Sequence, residues 1–398
     1  LFFRLPILQT QSLQEYPMVS VIVPAHNEAL VIRKTLESLL NFKYPRDRYE
    51  IVVINDNSSD NSADILMEIR NEYKERNLKV IHTDNTNGGK GKSNALNIAL
   101  KHISGSLIAI YDADNTPEPD ALRILVENLM MDDTLGAVSG MIRTRNKNSS
   151  LLTRFINIES ISAQCMNQAG RYQYFKLSML PGTNYVIRRK LVEELGGWDV
   201  DALTEDTEFT YRVYRKGYRI RYMPTAVSWE QEPQKLGDWF KQRARWIRGN
   251  FSVFFDNLPR LFNPKAGRIR LDILQYILMI FLMFLVVTCS NAMAIFGWLG
   301  YINLTTPLAS LWNWVGAALV FLVMTLLNIS QVKNEFNLKN IAVCVMLFGY
   351  FVLWHFAIFY SIYLSIKRRM VGQRTKWDKT VRYEESNEGI RVKKVLDS

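Results

Sequence analysis

Cysteine is scarce in this chain: Cys165, Cys289 and Cys344 are the three present in 398 residues. Thiols so few and so scattered exclude a disulfide framework and a thiolate zinc site, and fit a reducing compartment. Charge is missing over two long stretches. Between Ile273 and Val332 there is no Asp, Glu, Lys or Arg, and none between Asn340 and Ile366, although these residues make up 22% of the chain. About 20 apolar residues, rising 1.5 Å each, span the hydrocarbon core of a bilayer. The gaps therefore predict transmembrane segments at 273–300, about 309–330 and 341–366, and argue against a wholly soluble protein. There is no internal repeat, no low-complexity tract and no signal peptide of the usual layout. The chain opens Leu1-Phe2-Phe3-Arg4, and residues 1–17 are expected to be the remnant of an N-terminal membrane-proximal segment.

What is abundant is positive charge, with a formal net charge of +11. Its placement matters more than its size. Lys241, Arg243, Arg245 and Arg248 precede the apolar segments, Arg260, Lys265, Arg268 and Arg270 adjoin them, and Lys367, Arg368 and Arg369 follow them. Lys and Arg crowded beside spans mark the cytoplasmic face and attract anionic headgroups, so a bilayer is the expected partner and nucleic acid is not. Residues 236–272 are aromatic and basic at once, which suits amphipathic interfacial helices. The basic tail covers 367–398.

From Val19 onward short β-rich runs alternate with amphipathic stretches, the pattern of an α/β domain with a mostly parallel sheet. Strands are expected at 19–23, 51–54, 79–81, 107–111 and 136–139, and helices near 29–40, 61–74, 93–103 and 119–131. The alternation weakens after about residue 145, where 151–168 reads as a helix leading into a less regular lobe. This domain is expected to run over 18–235. In such sheets ligands bind beyond the carboxyl ends of the strands, so the residues there are the first candidates.

The first strand ends Pro24-Ala25-His26-Asn27-Glu28 and the second runs into Asn55-Asp56-Asn57, placing Ala25, Asn27, Glu28 and Asp56 where a nucleotide could lie. Gly88-Gly89-Lys90-Gly91-Lys92-Ser93 resembles a phosphate loop, but the Walker spacing would need glycine at Thr86. A glycine-rich turn at a helix start can still bind phosphate through backbone N–H groups and the Lys92 ammonium. Asp112-Ala113-Asp114 follows an apolar run, and alternate side chains of an extended chain share a face. Two such carboxylates suit Mg²⁺ or Mn²⁺ completed by substrate phosphates. Thr204-Glu205-Asp206 precedes a helical stretch, where capping competes with catalysis as an explanation. In Gln242-Arg243-Ala244-Arg245-Trp246 an amide, guanidinium groups and an indole lie within one and a half helical turns.

Taken in order, these motifs resemble the membrane-embedded family 2 glycosyltransferases that polymerise hyaluronan, cellulose, chitin and poly-N-acetylglucosamine. The resemblance runs from Val19 to the tail. It implies a GT-A-type nucleotide-sugar-binding domain, interfacial helices, then transmembrane helices, with the catalytic domain on the cytoplasmic side of a multi-pass protein in the cell membrane. It implies that Ala25, Asn27, Glu28 and Asp56 hold the uridine and that Lys92 contacts the diphosphate. Asp112 and Asp114 would bind nucleotide and metal, with Asp114 the direct ligand. Asp206 would be the general base, with Glu205 lining the same pocket. Gln242 and Arg245 would hold the diphosphate, while Trp246, Gly182, Thr183 and Asn184 would lie at the acceptor. Trp377, Thr380 and Arg382 match a W-x-T-R gating segment loosely, because residues are inserted within it.

The activity implied is inverting transfer from a UDP-sugar, a UDP-N-acetylhexosamine first among the candidates, to a growing β-linked exopolysaccharide exported as it grows. Mg²⁺ or Mn²⁺ is the expected cofactor, and a small accessory membrane subunit an expected partner. Two alternatives stay open at this level: a non-processive enzyme adding one sugar to a lipid acceptor, and a membrane-bound nucleotide-binding scaffold without turnover.

Overall fold

A computed structural model describes residues 12–267, 269–301, 311–371 and 382–383. They fall into two compact units, one of residues 12–242 with 382–383 and the other of residues 243–371. Trp377 and Thr380 lie outside the described residues.

In the first unit the elements run β1 Val19–Ala25, α1 Ile32–Leu40, β2 Tyr49–Asn55, α2 Ser62–Glu72, β3 Leu78–His82, α3 Lys92–Ala99 and β4 Leu107–Ile110. There follow β5 Thr116–Pro117, α4 Ala121–Met130, β6 Leu135–Thr144, α5 Leu151–Ala163, α6 Arg171–Phe175, β7 Tyr185–Arg188, α7 Arg189–Glu194, α8 Glu205–Arg215 and β8 Arg219–Glu230. Among the described residues the strands form one eight-stranded sheet in the order β3-β2-β1-β4-β7-β6-β8-β5. The expected parallel sheet is present in β3, β2, β1 and β4. Beyond β4 the sheet is mixed, because β7 runs antiparallel to both β4 and β6, while β6 and β8 are parallel to each other. The expectation of a mostly parallel sheet is corrected there. β7 and β8 come from the lobe that reads as irregular in sequence; β7 has four residues and β8 a broken burial pattern, so neither shows a clean period of two.

Both faces of the sheet are covered. Val21, Val23, Ile51 and Val53 pack with α1, α2 and α4, while Ile22, Val52, Ile108 and Ile110 pack with α3, α7 and α8. Burial on both faces is why these strands read as continuous apolar runs rather than alternating ones.

α5 passes without a break into a π-helical turn, Gln164–Gly170, before α6. The turn aims the Gln164 amide at β6, where it accepts from Ile142 N at 2.7 Å and donates to Ile142 O at 2.7 Å. Gln168 Oε1 accepts from Ser178 Oγ at 2.7 Å and Met179 N at 2.8 Å, which fixes the start of the segment leading to Gly182.

α9, Leu236–Asn257, crosses the boundary between the units at Gln242. The second unit continues with α10 Ile269–Tyr276, a π-helical turn Ile277–Leu282, α11 Met283–Trp298, α12 Leu311–Ser330 and α13 Leu338–Val371. Among the described residues one helical stretch, Leu338–Lys367 within α13, is long and apolar enough to cross a membrane. Phe284–Trp298 and Val315–Ser330 are shorter apolar helices.

Candidate active site

The carboxyl ends of β1, β2 and β4 meet the start of α3 and the start of α8, and five of the residues singled out in sequence converge there. Lys92, the first residue of α3, is their hub. Its Nζ donates to Asp112 Oδ1 at 2.6 Å and to Gly182 O at 2.8 Å, and lies 3.3 Å from Glu205 Oε1. An ammonium has three donors, and all three are directed at this cluster. Burial alone would lower the Lys92 pKa, but Asp112 and then Glu205 outweigh it and raise it, so the ammonium stays charged.

Glu205 and Asp206 occupy the first turn of α8, where exposed N–H groups and the helix dipole favour carboxylates. Asp206 Oδ1 accepts from Thr207 N at 2.7 Å. Asp206 Oδ2 faces Gly182, where a Cβ would stand 3.0 Å from it and 3.4 Å from Lys92 Nζ. Gly182 also has φ +80°, so both backbone conformation and close approach require glycine.

Asp112 and Asp114 are held from beneath. Thr183 Oγ1 accepts from Asp112 N at 3.0 Å and donates to Asn115 Oδ1 at 2.6 Å, while Ser228 Oγ donates to the same Oδ1 at 3.3 Å. Thr183, placed at the acceptor by sequence, thus supports the D-x-D turn. Asn184 is fully buried, with φ +50°, and its amide donates to Met141 O at 3.0 Å and Ala226 O at 2.9 Å. Its amide nitrogen joins β6 to β8 and is engaged with main chain.

The nucleotide candidates form a second group. Asp56 Oδ1 accepts from Thr83 Oγ1 at 2.9 Å and from Gly89 N at 2.9 Å, so the glycine-rich turn folds onto it. A Cβ on Gly88 would fall 1.9 Å from Thr83 Oγ1 and 2.7 Å from Asp56 Oδ1, which explains the glycine. Asn27, at φ +55°, accepts on Oδ1 from Ser59 N at 2.7 Å and stitches β1 to the loop before α2. Ala25 is buried at the end of β1, its carbonyl accepting from Asp56 N at 2.7 Å.

Glu28 and Asp114 share a cation. Arg382 donates from Nε to Glu28 Oε2 at 3.0 Å and from Nη2 to Glu28 Oε1 at 3.4 Å, and its Nη1 lies 2.8 Å from Asp114 Oδ2. Burial opposes the guanidinium charge, but Asp114, Glu28 and Asp112 prevail and raise its pKa. The next residue, Tyr383, is buried. Its hydroxyl donates to Asp238 Oδ2 at 3.2 Å and accepts from Gln234 N at 3.2 Å; its backbone exchanges bonds with the Gln231 amide at 2.9 and 3.2 Å. Sequence reasoning missed Tyr383 and Asn115, although each directly follows a residue it had selected.

The remaining candidates lie on α9. Gln242 ends the first unit, while Arg245 and Trp246 belong to the second. Positions i, i+3 and i+4 share one helical face. The Trp246 ring carries the Arg243 guanidinium 4.2 Å from its centroid.

The donor set can be tested for a divalent cation. Desolvation, then Glu232, Asp114 and Asp112, push the Glu230 pKa well above the usual carboxylate range, and Arg382 only partly opposes them. Asp112 and Asp114 present hard carboxylate oxygens of the kind that suit Mg²⁺ or Mn²⁺. Among the described residues no group of three or more His, Cys, Asp or Glu could hold a metal alone. Two aspartates completed by substrate phosphates remain a fitting set.

Residues 17–249 match the family described as "Glycosyltransferase like family 2". The chain is 44% identical over 380 residues to "Probable glycosyltransferase YdaM" of Bacillus subtilis (strain 168), covering 95% of this chain and 90% of that one. It is 33% identical over 269 residues to the poly-beta-1,6-N-acetyl-D-glucosamine synthase of Staphylococcus aureus (strain COL), covering 67% of this chain and 62% of the synthase, less than two thirds of its length. Among solved structures, the mannosyltransferase PcManGT from Pyrobaculum calidifontis, in complex with GDP-Man and Mn²⁺, superposes with a TM-score of 0.59 at 23% identity, over 84% of this chain and 87% of that one. That likeness is one of fold, a GT-A-like α/β architecture with a mixed sheet. On the family match over more than half its length and the relative that it covers almost throughout, the chain belongs to glycosyltransferase family 2.

Proposed function

We propose that the protein transfers a UDP-linked sugar with inversion onto a growing β-linked polysaccharide, working at the cytoplasmic face of the cell membrane. The observation that carries this reading is the Lys92 cluster, in which the D-x-D aspartate, Gly182 and the T-E-D carboxylates stand within a few ångströms of one ammonium.

The chemistry follows from those positions. Asp206 Oδ2 takes the proton of the acceptor hydroxyl as its oxygen bonds the anomeric carbon, and the bond from that carbon to the diphosphate breaks. One base and one direct displacement invert the centre, so an α-linked donor gives a β-linked product. Lys92 compensates the charge gathering on the leaving diphosphate. Glu205 orients Lys92 through their ion pair. Mg²⁺ or Mn²⁺ bound by Asp114 with Asp112 would supply further charge neutralisation to the diphosphate. Ala25, Asn27, Glu28 and Asp56 hold the uridine, and Gln242 adds to the diphosphate contact.

The staphylococcal relative supports an N-acetylhexosamine donor and a polymeric product. A membrane site is supported by the 30-residue stretch Leu338–Lys367, whose most apolar 18-residue window has a mean hydropathy of 2.2 and is 28% buried in the protein. At 1.5 Å per residue it exceeds a bilayer core of about 30 Å. Exposed Val345, Phe356 and Ile366 on this helix are suited to lipid. A polar polymer does not cross hydrocarbon unaided, and a synthase at that location is suited to coupling synthesis with export.

The test is nucleotide release by the full chain in lipid with Mg²⁺ or Mn²⁺, supplied in turn with UDP-glucose, UDP-N-acetylglucosamine, UDP-N-acetylmannosamine and GDP-mannose, with products sized on a gel. A polymer from one UDP-sugar is the expected result. Single additions to lipid would replace polymerisation by the lipid-acceptor reading. No release from any donor, with a natively folded protein, would remove the transferase reading in favour of a nucleotide-binding scaffold.

A further inference from the structure

Arg382 carries the longest-range ionic contact of the site, reaching Glu28 from 354 residues away. Its guanidinium fits between two carboxylates that are each 5% exposed, contacting Glu28 through two nitrogens and Asp114 through a third. Nothing about its neighbour is adjustable: Tyr383 is 1% exposed and is fixed by bonds to Gln231, Gln234 and Asp238 through both hydroxyl and backbone. A side chain anchored this way is a fixed charge, and it stands on the carboxylate through which a divalent cation would bind.

We infer that Arg382 is the resident counter-ion of Asp114 and competes with the divalent cation for it, with Tyr383 as the residue that positions the guanidinium. This rests on the reading of Asp114 as a cation ligand given above. Two cations cannot both approach one buried carboxylate oxygen without mutual repulsion, and Asp114 Oδ2 is already 2.8 Å from Arg382 Nη1. The Mn²⁺ affinity of the donor-free protein is therefore lowered by the Arg382 charge that already stands on Asp114. Arg382 also keeps the buried carboxylates neutralised when no cation is bound, which limits the cost of leaving them buried and unpaired.

The experiment is Mn²⁺ binding to the full chain in detergent without donor, followed by electron paramagnetic resonance of the free ion. Arg382→Gln is expected to tighten Mn²⁺ binding on the order of tenfold, within the usual span of coupling between two ligands. Arg382→Lys, which keeps a charge, is expected to stay closer to the wild type. Tyr383→Phe, which keeps the ring and loses the hydroxyl bonds, is expected to tighten binding by a smaller factor and covers the case in which Arg382→Gln does not fold. Asp114→Asn is expected to abolish the binding. If Asp114→Asn abolishes binding while Arg382→Gln and Tyr383→Phe leave it within twofold of the wild type, the competition is overturned and the cation reading stands. If Asp114→Asn leaves Mn²⁺ binding intact, the cation reading of Asp114 falls, and the competition with it.

Discussion

Asp206 and Gly182 approach each other closely, and each predicts a distinct failure. Asp206→Asn keeps the shape and the bond from Thr207 N but cannot take a proton, so turnover is expected to fall by roughly 10²–10⁴. Retention of more than a third of wild-type turnover in a steady-state assay would remove Asp206 from the base role. Gly182→Ala adds a methyl 3.0 Å from Asp206 Oδ2 at a backbone φ of +80°. Gly196→Ala is the matched control, since its φ is +76° and nothing lies within 4 Å of the added methyl. Both are expected to lose on the order of 1–2 kcal/mol of stability to the left-handed backbone, read as a thermal shift. Gly182→Ala alone is expected to lose at least about tenfold in turnover, because displacement of a catalytic group is costly. Equal activity in the two variants would show that the approach of Gly182 to Asp206 carries no catalytic weight.

At the scale of elements, the parallel part of the sheet contains a buried charge that ties three strands together. Glu50 on β2 is fully buried and accepts from Ser20 Oγ on β1 at 2.6 Å, from Lys79 Nζ on β3 at 2.6 Å, and from Ser104 N and Oγ at 2.6 and 2.8 Å. Burial alone would raise its pKa; the bonds from Lys79, Ser20 and Ser104 reverse this and bring it down to about 2 from the ordinary 4.5. A depressed carboxylate pKa stabilises the fold fully above the unfolded value and loses that contribution as pH falls toward the folded one. Wild-type stability should therefore decline from about pH 4.5 downward, while Glu50→Gln should be less stable at neutral pH and lack this part of the slope. With half-exposed Lys79 partly screened, about 1–3 kcal/mol is expected at pH 7. Thermal melts of the two proteins from pH 7 to pH 3 read it; parallel curves would mean that Glu50 is not the group responsible.

The strands around Glu50 were legible in sequence, and their partners were not. Runs such as 19–23 and 51–54 announce buried strands because the apolar pattern is local. Glu50 reads as an ordinary polar residue at a strand edge, since Ser20, Lys79 and Ser104 come from 29 to 54 residues away. β7 and β8 were not legible for the same reason. Their pairing with β6 is non-local, and β8 breaks register between Gly140 and Met141 of its partner.

For the whole molecule, the apolar helices are what the proposed membrane site rests on. If Leu338–Lys367 spans a bilayer, the full chain should stay with the membrane pellet after alkaline carbonate washing. Recovery in the supernatant would reduce the apolar helices to packing elements of a peripheral enzyme. A charge placed on the exposed apolar face gives an independent check. Val345, 65% exposed on α13, should when changed to Arg weaken membrane insertion at a cost of about 2.5–3.5 kcal/mol if it sits near the centre of the span. Unchanged insertion would place it near a headgroup region or outside the bilayer.

The sequence by itself determined the parallel half of the sheet, the motifs at its strand ends and the apolar character of the later helices. Each of these is written in residues close along the chain, where side-chain period and terminal chemistry act. The tertiary structure decided which charge meets which: that Lys92 serves Asp112, Glu205 and Gly182 together, that Thr183 and Asn115 support the D-x-D turn, and that Arg382 reaches Glu28 and Asp114. Those pairings join segments tens to hundreds of residues apart. A buried charge is satisfied by whatever the fold brings within about 3 Å of it, and no local pattern records that.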